Sequence, residues 1–544
     1  MSATVYQAFL NAVQRWPSHA MLDVLPETAA IYGIAPGEMT FGDASHRIQA
    51  LRVAYQQAGY GHGHRAGLLL ENRPDFFLHW YALNSLGVSV VPINADLRAA
   101  ELEYLIGHSE IVIVVALPNY HDALRQAAHR ANQSLAIITA DAHPPLAATP
   151  APFRDRAPDV HTECALLYTS GTTGRPKGCI LPNRYFLHAG AWYASIGGLA
   201  TLHEGQERMI TPLPLVHMNA MAYSAMAMLL TGGCLIALDR FHPQTWWDSV
   251  RTSRATVLHY LGVMPAMLMK AAPSAADQQH HVRFGFGAGV DRTLHEPFES
   301  RFGFPLLEAW AMTETGAGAV VIANHEPRHR GHSCFGTPNK DVHIRIVDDA
   351  GHDVTGEQPG ELLVRHAGPE PRYGFFAGYL KDEAATTAAW QDNWFHTGDL
   401  VRRGPDGNLY FVDRKKNVIR RSGENISAVE VESVLAQHPL VKSVAVAAVP
   451  DAVRGDEVLA CIVPVTRHGD AATRQEAAQD IVRWCLSQLA YYKAPGHVAF
   501  VESLPLTTTN KIQRGEMKRL APTLVGTESC VDTCSMKKRQ EVSA

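Results

Sequence analysis

The chain has 544 residues, 46% of them hydrophobic and 19% charged, with a formal net charge of -5. That balance belongs to a soluble globular protein long enough for at least two domains, and it argues against a general nucleic-acid or anionic-membrane surface. The eight cysteines are scattered with no Cys-x-x-Cys pair, which fits a reducing cytoplasm. The start, "MSATVYQAFLNAVQRWPSHA", has no basic leader before an apolar run, so no secretory signal is expected.

In chain order, "RAGLLLENRPDFFLHWYALNSLGVSVVPIN" predicts a strand over 67–70, a helix over 76–87 and a strand over 88–92. The runs "EIVIVVAL" and "LAIITA" repeat the theme, so parallel α/β layers with helices on both faces are expected to about residue 400. Next, "YTSGTTGRPKGCILPN" (168–183) has too few apolar residues to build a core. Its glycines let backbone N–H groups turn toward an anion, its hydroxyls add donors and Lys177 adds charge, which points to a phosphate. The spacing is not that of the common P-loop, and a surface loop is the plain alternative.

The most apolar segment, "AMAYSAMAMLLTGGCLIAL", is broken by Thr231, Gly232 and Gly233 well short of a membrane span, so it predicts a core helix followed by a strand. His325, His329, His332 and Cys334 make the densest histidine cluster, but proline and glycine place them on a loop with no second ligand group nearby, which argues against a metal site. Around Ala350 the texture changes to antiparallel strands with Gly- and Asp-rich turns. Further on, Ser427 and Glu430 have capping-box spacing, and Val431, Val434, Leu435 and His438 share one helical face. Two apolar strands and a helix over 475–489 follow. The expected fold class is therefore α/β: a large N-terminal domain of layered α/β subdomains with a small β-barrel-like part (1–415), then a small α+β domain (416–521). The tail 522–544 lacks periodicity and is expected to be disordered, with Cys530 and Cys534 incidental.

Four more stretches carry chemistry: "AWAMTET", "WFHTGDL", "DRKKN" and "PLTTTNKIQR". Singly they read as a core aromatic, a turn aspartate, a solvated basic face and a surface lysine. In their joint order with the glycine-rich loop, the chain resembles the adenylate-forming superfamily of acyl-CoA synthetases, adenylation domains and luciferases over about residues 41–518. The stretches "PSAADQQHHVR", "FVDRKKNVIRRSGEN" and 217–239 look like the crotonobetaine/carnitine-CoA ligase branch. Closeness of sequence need not fix the substrate.

The resemblance implies that Thr169, Ser170, Gly171, Thr172, Thr173, Gly174 and Lys177 grip the β- and γ-phosphates of ATP. It implies that Thr313 contacts the α-phosphate and that Glu314 ligates Mg²⁺, which prefers carboxylate oxygen. Gly287, Ala288 and Gly289 would line the adenine slot, and Trp310, at a position usually tyrosine, would stack on the base. Asp399 would accept the ribose hydroxyls, with Arg414 approaching from the other side. Lys511 matches the catalytic lysine that bridges carboxylate and α-phosphate, and Lys416 the hinge of a mobile C-terminal domain whose rotation presents Gly423 at the thiol tunnel. Arg420 and Arg421 could meet CoA phosphates or form a solvated basic face.

His217 matches a position separating acyl pocket from thiol tunnel, with a satisfied core histidine as the alternative. Tyr193, Val216, Met218 and Ala311 are the remaining candidate pocket residues; Ala311 replaces a common glycine and would narrow the pocket mouth. Asn417 and Asn510 replace a common aspartate and glycine without removing a required group. The implied reaction joins a small carboxylic acid to coenzyme A through acyl-AMP, in the cytoplasm, with ATP, Mg²⁺ and CoA required and no nucleic-acid or membrane partner. A carnitine-like, short aliphatic, dicarboxylic or aryl acid, a carrier protein as acceptor, a non-catalytic sensor and a homodimer all remain open.

Overall fold

The computed structural model describes residues 2–537 apart from 98, 170–175, 422–423, 452–454, 467–469, 490 and 507–510. Two α/β sheets form the large part. In the first, five parallel strands run in the order Ala136–Ile138, Ile113–Ala116, Arg65–Leu69, Ser89–Pro92 and Glu163–Thr169, and the strands Lys177–Pro182 and Gly378–Tyr379 extend it antiparallel. In the second, Leu306–Trp310, Phe284–Gly287, Val257–His259, Arg208–Thr211, Cys234–Ala237 and Ala20–Val24 run parallel between two antiparallel edge strands.

The helix Pro74–Asn84 begins with proline and Asp75 in its first turn, where the missing N–H and the negative charge both suit a helix start. Every residue from Phe76 to Asn84 is buried, which is the pattern of a helix enclosed on all sides rather than lying on a surface. The predicted core helix and strand of the apolar segment are Ala225–Thr231 and Cys234–Ala237, and Gly232 ends the helix at a positive φ of 66°. Immediately before them Asn219–Ser224 forms a π-helical turn, which no sequence pattern announced.

The small β-barrel-like part is instead an open sheet. Its main path runs Cys334–Gly336, Leu409–Arg414, Trp394–Arg403, Gly360–His366 and Val342–Val347, so the first and last strands lie at opposite edges. Closure is not needed to bury it, because Val342, Ile346, Leu362 and Val364 join the main core, which this sheet shares with both α/β sheets.

At the 3-10 turn Lys415–Asn417 the chain leaves that sheet and enters another, built from Glu424–Ser427, Val418–Arg421, Gly455–Pro464, His497–Phe500 and Cys530–Asp532, with Val441–Asp451 paired to Gly455–Pro464. This part has its own core around Ile419, Val431, Leu435, Ile462 and Ile481. Only half of the expected capping box forms: Ser427 Oγ accepts from Glu430 N at 3.2 Å, while the Glu430 carboxylate holds Lys493 Nζ at 2.7 Å.

The expectation of a disordered tail from 522 is corrected. The helix Arg514–Leu524 buries Met517 and Ala521, Cys530–Asp532 pairs with His497–Phe500, and Lys537 is buried beside Glu457. The tail finds its order in a distant strand rather than in its own periodicity. Residues 538–544 lie outside the described residues. His325, His329, His332 and Cys334 do not converge; His329 Nε2 lies 2.6 Å from Asp406 Oδ2 instead. Among the described residues no helix is long and apolar enough to cross a membrane.

Candidate active site

Ligands in open α/β sheets gather at the carboxyl ends of the parallel strands, and three such ends supply expected site residues here: Thr169, Gly287 and Trp310. Thr169 pairs with Lys177 across the antiparallel hairpin, fixing both stems of the glycine-rich loop. Ser170, Gly171, Thr172, Thr173 and Gly174 lie outside the described residues. Lys177 Nζ sits 4.8 Å over the Tyr379 ring and 3.7 Å from Asp382 Oδ2.

The Tyr379 hydroxyl donates to Glu314 Oε1 at 2.9 Å. Glu314 is buried, and no lysine or arginine among the described residues pairs with it. A buried carboxylate held by a neutral phenol and a neutral thiol favours a cation, so the residues present fit a hard divalent ion. Thr313 is fixed through its carbonyl, which accepts from the Tyr185 hydroxyl at 2.9 Å. Tyr379 escaped the sequence reading because its partner stands 65 positions away.

On the side expected to hold the nucleoside, Asp399 and Arg414 face each other across antiparallel strands. Trp310 Nε1 donates to Asp399 Oδ2 at 2.9 Å and Arg414 Nε lies 2.8 Å from Asp399 Oδ1. The carboxylate is only 2% exposed, so it is held rigidly from two directions. An ionised carboxylate has about four lone-pair sites, leaving capacity for hydroxyl donors beside these two partners. Gly287 is required by the fold itself, since a Cβ there would lie 2.3 Å from the Tyr260 carbonyl oxygen. Ala288 and Gly289 are exposed beyond the strand end, and Gly289 N donates to buried Glu308 at 3.1 Å, which anchors the turn.

The lysine from the small part reaches this cleft. Burial lowers the pKa of Lys511 from 10.5, and the Arg414 charge lowers it further. His217, from the large part, is likewise lowered by burial and then by the Lys511 charge. Both residues remain open to solvent on one side while the cleft walls desolvate their polar ends. Lys511 thus stands within electrostatic reach of Arg414 and His217 at once. Its loop is closed by the bridge between Leu506 and Ile512, and Gln513 Nε2 donates to the Leu506 carbonyl at 2.7 Å. Arg514 then forks Glu432 with bonds of 2.5 and 2.6 Å.

The joint between the two parts is also tied. Asp413 Oδ2 accepts from Ser427 Oγ at 2.9 Å and from Val429 N at 3.3 Å, and Lys415 Nζ donates to Glu361 Oε2 at 2.7 Å. Of Lys416 only the backbone, in the turn Lys415–Asn417, is described, and Gly423 lies outside the described residues. Arg421 does not form a free basic face: it is buried against Glu457 at 2.8 Å.

His217 is exposed rather than packed in a core. Val216 and Ala311 are half-buried and Met218 is buried. Tyr193 is fully buried and does not open onto the cleft; its hydroxyl bonds His259 Nε2 at 3.0 Å, while His259 Nδ1 meets Ser224 at 2.8 Å and Asn219 at 2.7 Å. Burial pushes the His259 pKa down to about 3, so this imidazole stays neutral. The π-helical turn supplies both Asn219 and Ser224 to that relay.

Comparison with known proteins gives a consistent picture. The family model described as "AMP-binding enzyme" matches residues 19–380, and the one described as "AMP-binding enzyme C-terminal domain" matches residues 430–511. A crotonobetaine/carnitine-CoA ligase of Escherichia coli is 28% identical over 494 residues, covering 88% of this chain and 92% of the relative. Among solved structures, o-succinylbenzoate CoA synthetase from Bacillus subtilis, bound to its acyl-adenylate intermediate, aligns with a TM-score of 0.78 at 23% identity over 94% of this chain and 97% of that one. ATP-bound MatB from Rhodopseudomonas palustris gives a TM-score of 0.78 at 23% identity over 95% and 99%.

Proposed function

Since the chain belongs to the AMP-binding enzyme family, we propose that it is an ATP-dependent acid–thiol ligase that activates a small carboxylic acid as acyl-AMP and passes the acyl group to coenzyme A. The observation that carries this reading is the convergence of Lys511 with Arg414 and His217 in a cleft that also holds Asp399 and Glu314.

In the first half-reaction the carboxylate attacks the α-phosphorus and pyrophosphate leaves. The Lys511 ammonium lies between the two anions as negative charge accumulates there, which is where a fixed cation lowers the barrier most. Asp399, already clamped by Trp310 and Arg414, holds the ribose without reorganising. Lys177 and the loop it borders receive the departing phosphates. Glu314 would hold Mg²⁺, which when bound neutralises phosphate charge. His217 stays neutral at the mouth and separates the acid from the thiol entrance.

In the second half-reaction the small part turns at Lys415–Asn417, Lys511 withdraws, and the CoA thiol displaces AMP. The relatives' named acids make carnitine and crotonobetaine the first substrates to try, with short aliphatic, dicarboxylic and aryl acids beside them. The decisive experiment is a carboxylic-acid panel scored by acid-dependent pyrophosphate release and CoA-dependent AMP formation. Release of pyrophosphate with no acid, or with none tried, would overturn the reading. Thioester formed only on a phosphopantetheinylated carrier would change the acceptor.

A further inference from the structure

The ordered tail builds a second cluster of reactive side chains. In the added strand, Asp532 lies directly opposite His497 across the antiparallel pair. The following 3-10 turn, Cys534–Met536, brings Cys534 back to the same edge: its N–H donates to Asp532 Oδ1 at 2.8 Å and its thiol donates to the Gly496 carbonyl at 3.4 Å. One ligand atom from each of His497, Asp532 and Cys534 lies within 4.8 Å of the other two. It is the one such group of three among the described residues.

We propose that His497, Asp532 and Cys534 form a Zn²⁺ site that fastens the C-terminal strap to the small part of the molecule. An imidazole, a carboxylate and a thiolate are the donor set that selects zinc over Mg²⁺ or Ca²⁺, which take oxygen alone. Bonds of about 2.0–2.3 Å in a tetrahedron place ligand atoms roughly 3.5 Å apart. Closing from 4.8 Å asks for small side-chain rotations, and Asp532 is the exposed member, its Oδ1 already turned toward Cys534 by the bond from that residue's N–H. Water completes the fourth position.

On metal binding the thiol proton leaves to solvent, the weak bond from Cys534 to the Gly496 carbonyl is lost, and three metal bonds replace it. The strap has reason to be fastened here. Its strand is three residues long, and Lys537 beyond it is buried against the same Glu457 that holds Arg421. A metal at this edge therefore braces the strap opposite its one buried ion pair with Glu457.

The test uses the full-length protein, reduced, stripped with a chelator and free of nucleotide. Zinc is titrated against a chromophoric chelator, and Co²⁺ is added separately to look for thiolate-to-cobalt charge transfer in the near ultraviolet. One tight equivalent is expected, weakened at least about tenfold in His497→Ala and in Asp532→Asn. The cobalt band should vanish in Cys534→Ser, and zinc should slow proteolysis within 525–537 in the natural protein but not in that variant. Should Cys534→Ser fold poorly, His497→Gln, at the start of its strand, carries the same comparison. Equal zinc affinity in the natural protein and the variants, or no binding tighter than about 10 μM with no cobalt band, would overturn the proposal.

Discussion

Arg414 Nε lies 2.8 Å from Asp399 Oδ1, and the Trp310 indole N–H reaches the other oxygen of the same carboxylate at 2.9 Å. The nucleoside side of the cleft is thereby organised before any ligand arrives. Replacing Trp310 by Phe keeps the aromatic face and removes only the donor. A hydrogen bond to a charged group contributes about 1.5–3 kcal/mol, so KM for ATP should rise roughly tenfold or more with kcat little changed. Steady-state kinetics at saturating acid measure this; a loss confined to kcat would contradict it.

Lys511→Ala should reduce adenylation by about three orders of magnitude or more, because the ammonium serves charge that develops only in the transition state. Thioester formation from supplied acyl-AMP should survive. Equal loss of both half-reactions would argue against a lysine that acts in one position and departs in the other.

The same ammonium sets a pH limit. Burial and then the Arg414 charge lower its pKa below 10.5, so the protonated form is depleted at lower pH than for a free lysine. Adenylation kcat/KM should fall on the alkaline side before pH 10.5, and Lys511→Arg, which stays protonated, should move that limb upward whatever activity it retains.

Asp413 binds across the joint, accepting from Ser427 Oγ at 2.9 Å and Val429 N at 3.3 Å. Asp413→Asn weakens this tie and should lower adenylation by about tenfold, an effect of roughly 1.4 kcal/mol, with a smaller effect on thiol transfer. Rapid-quench measurement of each half-reaction separates the two; equal losses would remove Asp413 from domain positioning.

Glu299 supports the strand that ends at Trp310. It accepts from Leu306 N at 2.7 Å and from Arg328 at 2.6 and 2.8 Å, and is 8% exposed. Burial raises its pKa, but the Arg328 and His295 partners overrule that and bring it from 4.5 to about 2. Its stabilisation is therefore complete above pH 4.5 and lost as pH falls toward about 2. Glu299→Gln removes the paired bonds from Arg328, which keeps Glu326 Oε1 at 2.9 Å, and should cost about 2 kcal/mol at neutral pH. Denaturant unfolding should show the gap between the two proteins narrowing below pH 4.5 and constant above it.

Alternating apolar runs made the layered sheets legible because period and length are local properties: the helix predicted over 76–87 is Pro74–Asn84, and the strand predicted over 88–92 is Ser89–Pro92. The strap was illegible for the opposite reason. Cys530–Asp532 is too short to show alternation, and its order comes from pairing Val531 with Val498. In the cleft, motif order marked Lys177, Glu314, Asp399, Arg414 and Lys511, while Tyr379 on Glu314 and Asp413 on Ser427 join side chains from separate stretches and leave no local trace. Tyr193 was misread as pocket lining because an aromatic residue on a helix face looks the same whether it meets a cavity or a buried histidine.

The fork from Arg514 to Glu432 has a mechanical corollary. Arg514, three residues beyond Lys511, is thereby stapled to the body that carries both. In the proposed reaction, catalytic timing is then a property of the three-residue turn Lys415–Asn417. Inserting or deleting a residue there would change when the charge is delivered while leaving intact every group it meets.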